Sequence, residues 1–367
     1  MRSLVVAAGG GGDAITAAAL PGLAALNLPA GEPVPVLTYS WDRLLVDPVP
    51  GPRVAADFTG LRQVAPGLYS VLPETCNVTP IRSSLPRLAA ELPVRVLLLD
   101  PTHGALGMAQ QVRAAVEHFA CDRVLVLDVG GDILTDGHDP HLRSPLADQL
   151  ALAACIRADR PTQVLVAAPG LDGEIDSATL AHRLRDFGAH PLGTLDHHIA
   201  RAVQTVMTWH PSEASGMFLA ATLGVRGLVE VRDAGDQVHL TNTTPLVHGL
   251  DAHQLADRTP AAKLTHTTSL ADAERVIRDI TGLSEIAYET RKARELRGRP
   301  AHTPTVHDLP VIDQLATETR GRGADYLSVR RLAEQLHVRT LDGYTALTRL
   351  LAAHRADHYT PPLYRTT

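Results

Sequence analysis

Between residues 94 and 188, apolar runs of strand length alternate with stretches of helix length, and this constrains the fold more than any other feature. Val94 to Asp100, 122 to 129 and 162 to 168 consist mainly of Val, Leu and Ala. Such runs have no polar face, so both faces must be covered, as in the central strands of a parallel sheet. The intervening segments, Gly104 to Phe119, 144 to 158 and 176 to 188, read as helices. Strands and helices alternating at this length imply parallel pairing through right-handed crossovers. The chain opens the same way, with a strand at Ser3 to Ala8, a turn at Gly9 to Asp13, and an alanine-rich helix from Ala14 to Leu28 interrupted at Pro21. A second strand follows at Val34 to Ser40. The expected fold is α/β: an open, mostly parallel, Rossmann-like sheet with helices on both faces.

The remaining segments are less regular. Trp41 to Pro52 is a proline-stiffened loop, with a strand expected at Leu68 to Leu72 and a helix at Leu85 to Leu92. Asp196 to Trp209 and Glu213 to Leu223 read as helical, 227 to 241 as a hairpin across Asp233-Ala234-Gly235-Asp236, and 259 to 268 as a polar loop. From Leu270 the reading is nearly all helix: 270–280, 284–297, 309–318, 327–337 and 341–354. The chain therefore divides into an α/β domain over 1–260 and a mainly helical extension over 261–367, with 298–308 as the clearest linker. The extension is expected to cover the sheet edge or to make a homodimer contact.

Composition narrows the function. A net charge of −6 gives no footprint for nucleic acid or an anionic membrane. The N-terminus runs straight into a glycine loop, which reads as a first strand rather than a signal peptide, and no window has the length of a membrane span. Cys76, Cys121 and Cys155 are odd in number and lack CxxC spacing, which fits a reducing cytoplasm. Lys263 and Lys292 are the only lysines. The glycine loop therefore has no Walker lysine, and pyridoxal phosphate chemistry, which needs a lysine in its pocket, is set aside.

Candidate chemistry gathers where strands end in acids. Asp128-Val-Gly130-Gly131-Asp132 places carboxylates at the rim of the sheet, where open α/β folds bind ligands. Ser144 and Pro145 open a helix whose first turn carries Asp148. With His103, after the strand that ends at Asp100, these form the expected catalytic set: Asp128, Asp132, Asp148 and the general-base candidate His103. Asp13, Asp128, Asp132 and Asp148 are expected to coordinate Mg2+ or a cationic or polyhydroxylated substrate, with Asp128 and Asp132 as the named metal ligands. Converging carboxylates need a cation, an arginine or a retained proton.

Ligand contacts are expected from Gly10, Gly11, Gly12 and Asp13 in the first loop, and from Trp41 and Arg43 as a stiffened platform. Glu74, Gly130, Gly131, Arg143, Ser144, Asp172 and Glu174 complete the set. Each has a bland alternative: Asp13 as a helix cap, Asp132 as a turn former, Asp148 as a solvated first-turn residue, and Trp41 and Arg43 as packing plus a surface ion pair. Gly9, Gly11 and Ala14 match GxGxxA, but Asp13 would repel a phosphate, and the second strand ends in Tyr39 and Ser40 rather than an acid. NAD is therefore disfavoured. His138 with His141, in the loop before Ser144, and His197 with His198 read as exposed or helix-capping; His197 and His198, as neighbours on a helix, diverge by about 100° and do not both face one metal.

Taken in order, Ala7 to Asp13, Trp41 to Pro52, Pro73-Glu74-Thr75, Asp128 to Asp132, Arg143 to Asp148 and Pro169 to Glu174 resemble a bacterial and archaeal family catalogued as domain of unknown function 1152. The resemblance spans about residues 3 to 250 and implies that these motifs belong to one α/β module; it implies no reaction. The sequence departs from the family pattern after Asp132, where Gly137-His138-Asp139 stands in place of an acid directly after the glycine. The helical tail past about 300 reads as an addition. Gly130-Gly131-Asp132 is also similar, over a stretch too short to carry residues across, to enzymes that cyclise acidic amino acids, such as D-glutamate cyclases.

The resulting expectation is a small-molecule hydrolase, transferase or lyase with a carboxylate-lined pocket. Its leading form is Mg2+-dependent phosphoryl or glycosyl chemistry on a nucleotide-like or phosphorylated metabolite. The alternatives are a metal-independent lyase, hydrolase or cyclase acting on an amino-acid-like substrate, and a non-catalytic metabolite-binding protein.

Overall fold

The computed structural model describes residues 1–29, 31–232 and 235–366. At its centre is a nine-stranded sheet. In chain order the strands are β1 (Ser3–Ala7), β2 (Val34–Thr38), β3 (Arg62–Ala65), β4 (Leu68–Ser70), β5 (Val94–Leu98), β6 (Arg123–Val129), β7 (Thr162–Ala167), β8 (His190–Gly193) and β9 (Val247–Asp251). Across the sheet the order is β8-β9-β7-β6-β1-β2-β5-β4-β3. The inner strands β7, β6, β1, β2 and β5 are parallel, and antiparallel pairings add the two flanks.

This order opens a crevice at one edge of the sheet. The chain proceeds outward from β1 through β2 to β5, then returns to the other side of β1 to lay down β6 and β7. The reversal creates a topological switch point between β1 and β6, with a crevice beyond their carboxyl ends.

Strand residues alternate between two cores, as a side-chain period of two requires. Val5, Ala7, Leu125 and Leu127 pack with α1 (Gly11–Ala19), α2 (Leu85–Glu91), and the later α6 (His197–Gln204) and α7 (Glu213–Thr222). Leu4, Val6, Val124 and Val126 face α3 (Gly104–His118), α4 (Pro145–Arg157) and α5 (Ser177–Asp186). Pro145 to Cys155 are all buried, so α4 has no solvated stripe. Its interior Gln149 donates to the Ile133 carbonyl at 2.9 Å and accepts from the Ala261 amide at 3.0 Å, tying the loop after β6 to the helix beneath it.

Several segments differ from expectation. Helix α1 stops at Ala19 and continues as 3-10 turns at Leu20–Gly22 and Ala24–Leu26, because Pro21 cannot donate an amide hydrogen. The expected loop over 259–268 contains a short helix, Ala261–Leu264. The expected hairpin forms by antiparallel pairing of Gly227–Val231 with Asp236–Leu240; its turn at Asp233 and Ala234 lies outside the described residues. The extension contains the expected helices, but also strands at Tyr326–Ser328, Tyr359–Thr360 and Leu363–Arg365, which join that hairpin in a five-stranded sheet. Strands of two or three residues are too short to show alternation and form only through pairing with distant partners. Among the described residues no helix is long and apolar enough to cross a membrane. Cys155 is buried, Cys121 half-buried and Cys76 exposed.

Candidate functional site

The crevice at the switch point is built from three local structures. After β1 the chain turns at Gly10, whose φ of +101° suits glycine and where a Cβ would lie 3.0 Å from the Trp41 carbonyl. Asp13 follows in the first turn of α1. Its Oδ2 accepts from the Gly9 amide at 2.9 Å, so it closes the loop ahead of the helix rather than capping the helix amides. Asp128 is the next-to-last residue of β6 and is 1% exposed. Asp148 lies in the first turn of α4, after Pro145 has set the helical φ.

These three elements bring one oxygen each of Asp13, Asp128 and Asp148 within 4.8 Å of one another. Asp128 Oδ2 and Asp148 Oδ1 are buried without a hydrogen-bond partner. Of the four expected ligands, Asp13, Asp128 and Asp148 come together and Asp132 lies outside the trio. Asp132 stands beside them in the same lining, with Oδ2 3.5 Å from Ser144 Oγ. The expected first-turn exposure of Asp148 does not occur, because α4 is sealed on every side.

Gly130 and Gly131 perform a steric task. Gly130 has φ +136°, and a Cβ there would lie 2.4 Å from Asp172 Oδ2. Glycine thus lets the loop after β7 close over the end of β6. Gly130→Ala is expected to destabilise the protein by about 2–3 kcal/mol through backbone strain and overpacking. Urea unfolding checks this, and a midpoint equal to that of the parent would contradict it.

Glu174, 2% exposed, organises the other wall. Its carboxylate accepts from the amides of Arg143 and Ser144 at 2.7 and 3.0 Å and from Ser144 Oγ at 2.7 Å, and it pairs with Arg232 at 3.4 Å. It therefore holds the turn from which α4 starts, and with it the position of Asp148. Asp172 accepts from the Glu174 amide through Oδ1, leaving Oδ2 buried without a partner.

The cavity enclosed by these groups is about 110 Å3. Gly9, Gly12, Asp13, Trp41, Arg43, Asp128, Asp132, Ser144, Asp148, Asp172 and Glu174 line it. Gly10 and Gly11 shape the loop behind it. Arg143 faces an adjoining cavity. His103 and Glu74 are exposed and outside the lining, and His138, His141, His197 and His198 are exposed. Asp100 shares the sheet edge, but its carboxylate is occupied by the Ala55 amide and Thr102. Asp100 and His103 follow β5 and Glu74 follows β4, and β2 separates both strands from the crevice.

The lining also includes residues with no sequence motif: His210, Glu213, Arg232, Glu285, Glu289 and Arg330. Glu285 and Glu289 sit four apart on one helix and so share a face, the one signal that could have marked them. Glu289 accepts from Trp41 Nε1 at 3.0 Å and from the Gly51 amide at 2.8 Å, so Trp41 anchors that helix as well as lining the cavity. Glu213 accepts from the Arg232 amide and pairs with Arg330, each at 3.1 Å. His210 Nδ1 accepts from the Ser212 amide at 3.2 Å, and burial pushes its pKa down to about 3, which keeps the ring neutral.

Burial dominates the electrostatics. It raises Asp13 and Asp172 to about 7, and holds Asp128, Asp132 and Asp148 well above the usual carboxylate range, with neighbouring carboxylates adding to the effect. Arg43 opposes this at Asp13 and Asp172, and Arg232 at Asp172. At neutral pH the cluster must retain protons or accept a cation.

A pH dependence follows from the sign of these shifts. A carboxyl raised from 3.8 to about 7 favours the folded state fully below pH 4 and progressively less as pH rises through 7. Carboxyls whose values are lowered, such as Asp308 and Asp313, lose their contribution only below that window. In EDTA the protein should be more stable to unfolding at pH 5 than at pH 8 by on the order of a few kcal/mol, and Mn2+ should raise the pH 8 value. Metal-free stability that increased from pH 5 to pH 8 would contradict this.

The family described as Protein of unknown function (DUF1152) matches residues 4–293, and the chain belongs to it. No curated protein and no solved structure matches the chain. The matched segment contains the carboxylate cluster, Glu174, Arg232, Glu285 and Glu289, whereas Arg330 lies beyond it.

Proposed function

We propose that this member of the DUF1152 family is a divalent-cation-dependent enzyme that transfers or hydrolyses a phosphoryl or glycosyl group of a small phosphorylated or nucleotide-like metabolite. The observation that carries this reading is the convergence of Asp13, Asp128 and Asp148 within 4.8 Å, with one buried oxygen each of Asp128 and Asp148 lacking a partner in the protein. An all-oxygen donor set suits Mg2+ or Mn2+. Asp13, Asp128 and Asp148 would hold the ion, which when bound supplies positive charge to a phosphoryl or leaving-group oxygen.

The chain's own groups have complementary roles. Arg43 and Arg232, which line the same cavity, attract and orient an anionic substrate. The N-termini of α1 and α4 add positive potential at the crevice. Asp172, with a pKa near 7 and an oxygen without a partner, is suited to exchange a proton with the substrate. The second reading, a metal-independent lyase, hydrolase or cyclase for an amino-acid-like substrate, draws support from the same raised values, because protonated aspartates could share the cavity without a cation. A purely binding protein would use these groups without turnover.

Calorimetric titration of the full chain with Mn2+ separates the readings. One site is expected, with a heat that varies with the ionisation enthalpy of the buffer because binding displaces protons. Incubation with a pool of phosphorylated metabolites should then give Mn2+-dependent mass changes. Absence of binding at millimolar Mn2+ would remove the cation-dependent reading and leave the second.

A further inference from the structure

A second cavity, of about 260 Å3, adjoins the acidic one, and both are lined by Arg43, Ser144, Glu174, Arg232, Glu285 and Glu289. Across this junction the charge changes sign. The inner walls carry the aspartates; the outer chamber adds Arg143, Lys292 and Arg339 to the arginines at the junction. Its acids are largely committed. Glu174 holds the Arg143-Ser144 turn, Glu289 holds Trp41 and Gly51, and Glu334 pairs with Arg330 at 3.4 Å. Burial pushes Glu285 well up, toward its neutral form.

Arg232 is 7% exposed, and its Nη1 is buried without a hydrogen-bond partner. Leaving such a donor unmatched is costly unless a ligand completes it. Arg43 is exposed beside it, at the mouth shared by the two cavities. The outer wall is apolar at Leu44, Leu45, Tyr288, Leu296 and Val338. Leu296 and Val338 lie past residue 293, beyond the family match.

We infer that the outer cavity is a substrate subsite: Arg43 and Arg232 hold an anionic group, phosphate or carboxylate, whose apolar or aromatic body rests on Leu44, Leu45, Tyr288 and Leu296. This rests on the proposed cation site in one respect only, namely that the same anion can face the ion from the junction. The apolar wall supplies selectivity, and part of it comes from residues outside the matched segment. Chains of this family with a different C-terminal segment would accordingly take a different body on the same anionic group.

The test uses the full chain and calorimetry with inorganic phosphate, phenyl phosphate and benzoate, each with Mn2+ and with EDTA. Phenyl phosphate should bind about 10-fold more tightly than inorganic phosphate through burial of the ring. Leu296→Asn, an uncharged change at a half-buried position, should remove most of that advantage, so that phenyl phosphate binds little better than inorganic phosphate. Arg43→Ala should weaken phenyl phosphate and inorganic phosphate alike by about 10-fold or more, without weakening Mn2+ alone. Thermal melts of both variants confirm that they fold. The tighter of benzoate and phenyl phosphate assigns the anion as carboxylate or phosphate. Equal affinities of the parent for phosphate and phenyl phosphate, or no effect of Leu296→Asn on their ratio, would overturn the subsite. Failure of the cation reading alone would show instead as absent Mn2+ binding, with the Leu296 and Arg43 effects preserved in EDTA.

Discussion

Asp128→Asn is expected to weaken Mn2+ binding by at least about 100-fold while the metal-free variant melts no lower than the parent. The first part follows because Asp128 is one of three buried acids whose oxygens converge, and one of its own oxygens has no protein partner. Loss of an outer partner of a metal ligand typically costs 10- to 100-fold, so loss of a ligand sets that range as a floor. The second part follows because the parent holds Asp128 well above the usual carboxylate range by burial and by its neighbours Asp148 and Asp13. Asparagine keeps the shape, carries no charge and can donate to those neighbours. Lower affinity combined with undiminished stability marks a position kept for function against the preference of the fold. If the variant bound Mn2+ like the parent, the cation would lie elsewhere; if it failed to fold, Asp128 would be structural.

Glu174→Ala should have the opposite character, with a large loss of stability. The side chain receives the amides of Arg143 and Ser144 and the Ser144 hydroxyl, and it pairs with an arginine that is itself buried. Removing it leaves those donors unmatched and the Arg232 charge without its partner, a change that typically costs about 3–5 kcal/mol. Glu174→Gln preserves the two amide contacts and should recover part of that loss. Chemical denaturation of the three proteins tests the order, parent above Gln above Ala. An alanine variant within about 0.5 kcal/mol of the parent, the range of ordinary surface changes, would show that the clamp is not what positions α4.

The sequence was most informative where chemistry coincides with local structure. Asp128 could be read because a buried strand runs into paired glycines, Asp148 because Ser144 and Pro145 mark a helix start, and Asp13 because it follows a glycine turn. Each signal lies within a few residues of the group it locates. Distance along the chain hid the rest. Arg232 ends a hairpin strand, Glu213 opens α7 and Arg330 lies in the C-terminal extension, and no local pattern connects them to the crevice. Glu285 and Glu289 carried a helical spacing, yet that helix reads as part of a tail. His103 illustrates the limit of such signals: the structure leaves it outside the crevice lining, because proximity to a strand end says nothing about which strand flanks the switch point. Strand order decides that, and it depends on pairings that sequence periodicity does not encode. The five-stranded sheet was hidden for a related reason, its C-terminal strands being two or three residues long.

The central claim is that Asp13, Asp128 and Asp148 together form a cation site. Anomalous diffraction from crystals of the full chain soaked in Mn2+ tests it most directly. The account predicts a strong anomalous peak between the three carboxylates, absent from Asp128→Asn crystals treated identically; a difference map with peaks only at surface acids, or none in the crevice, would contradict it.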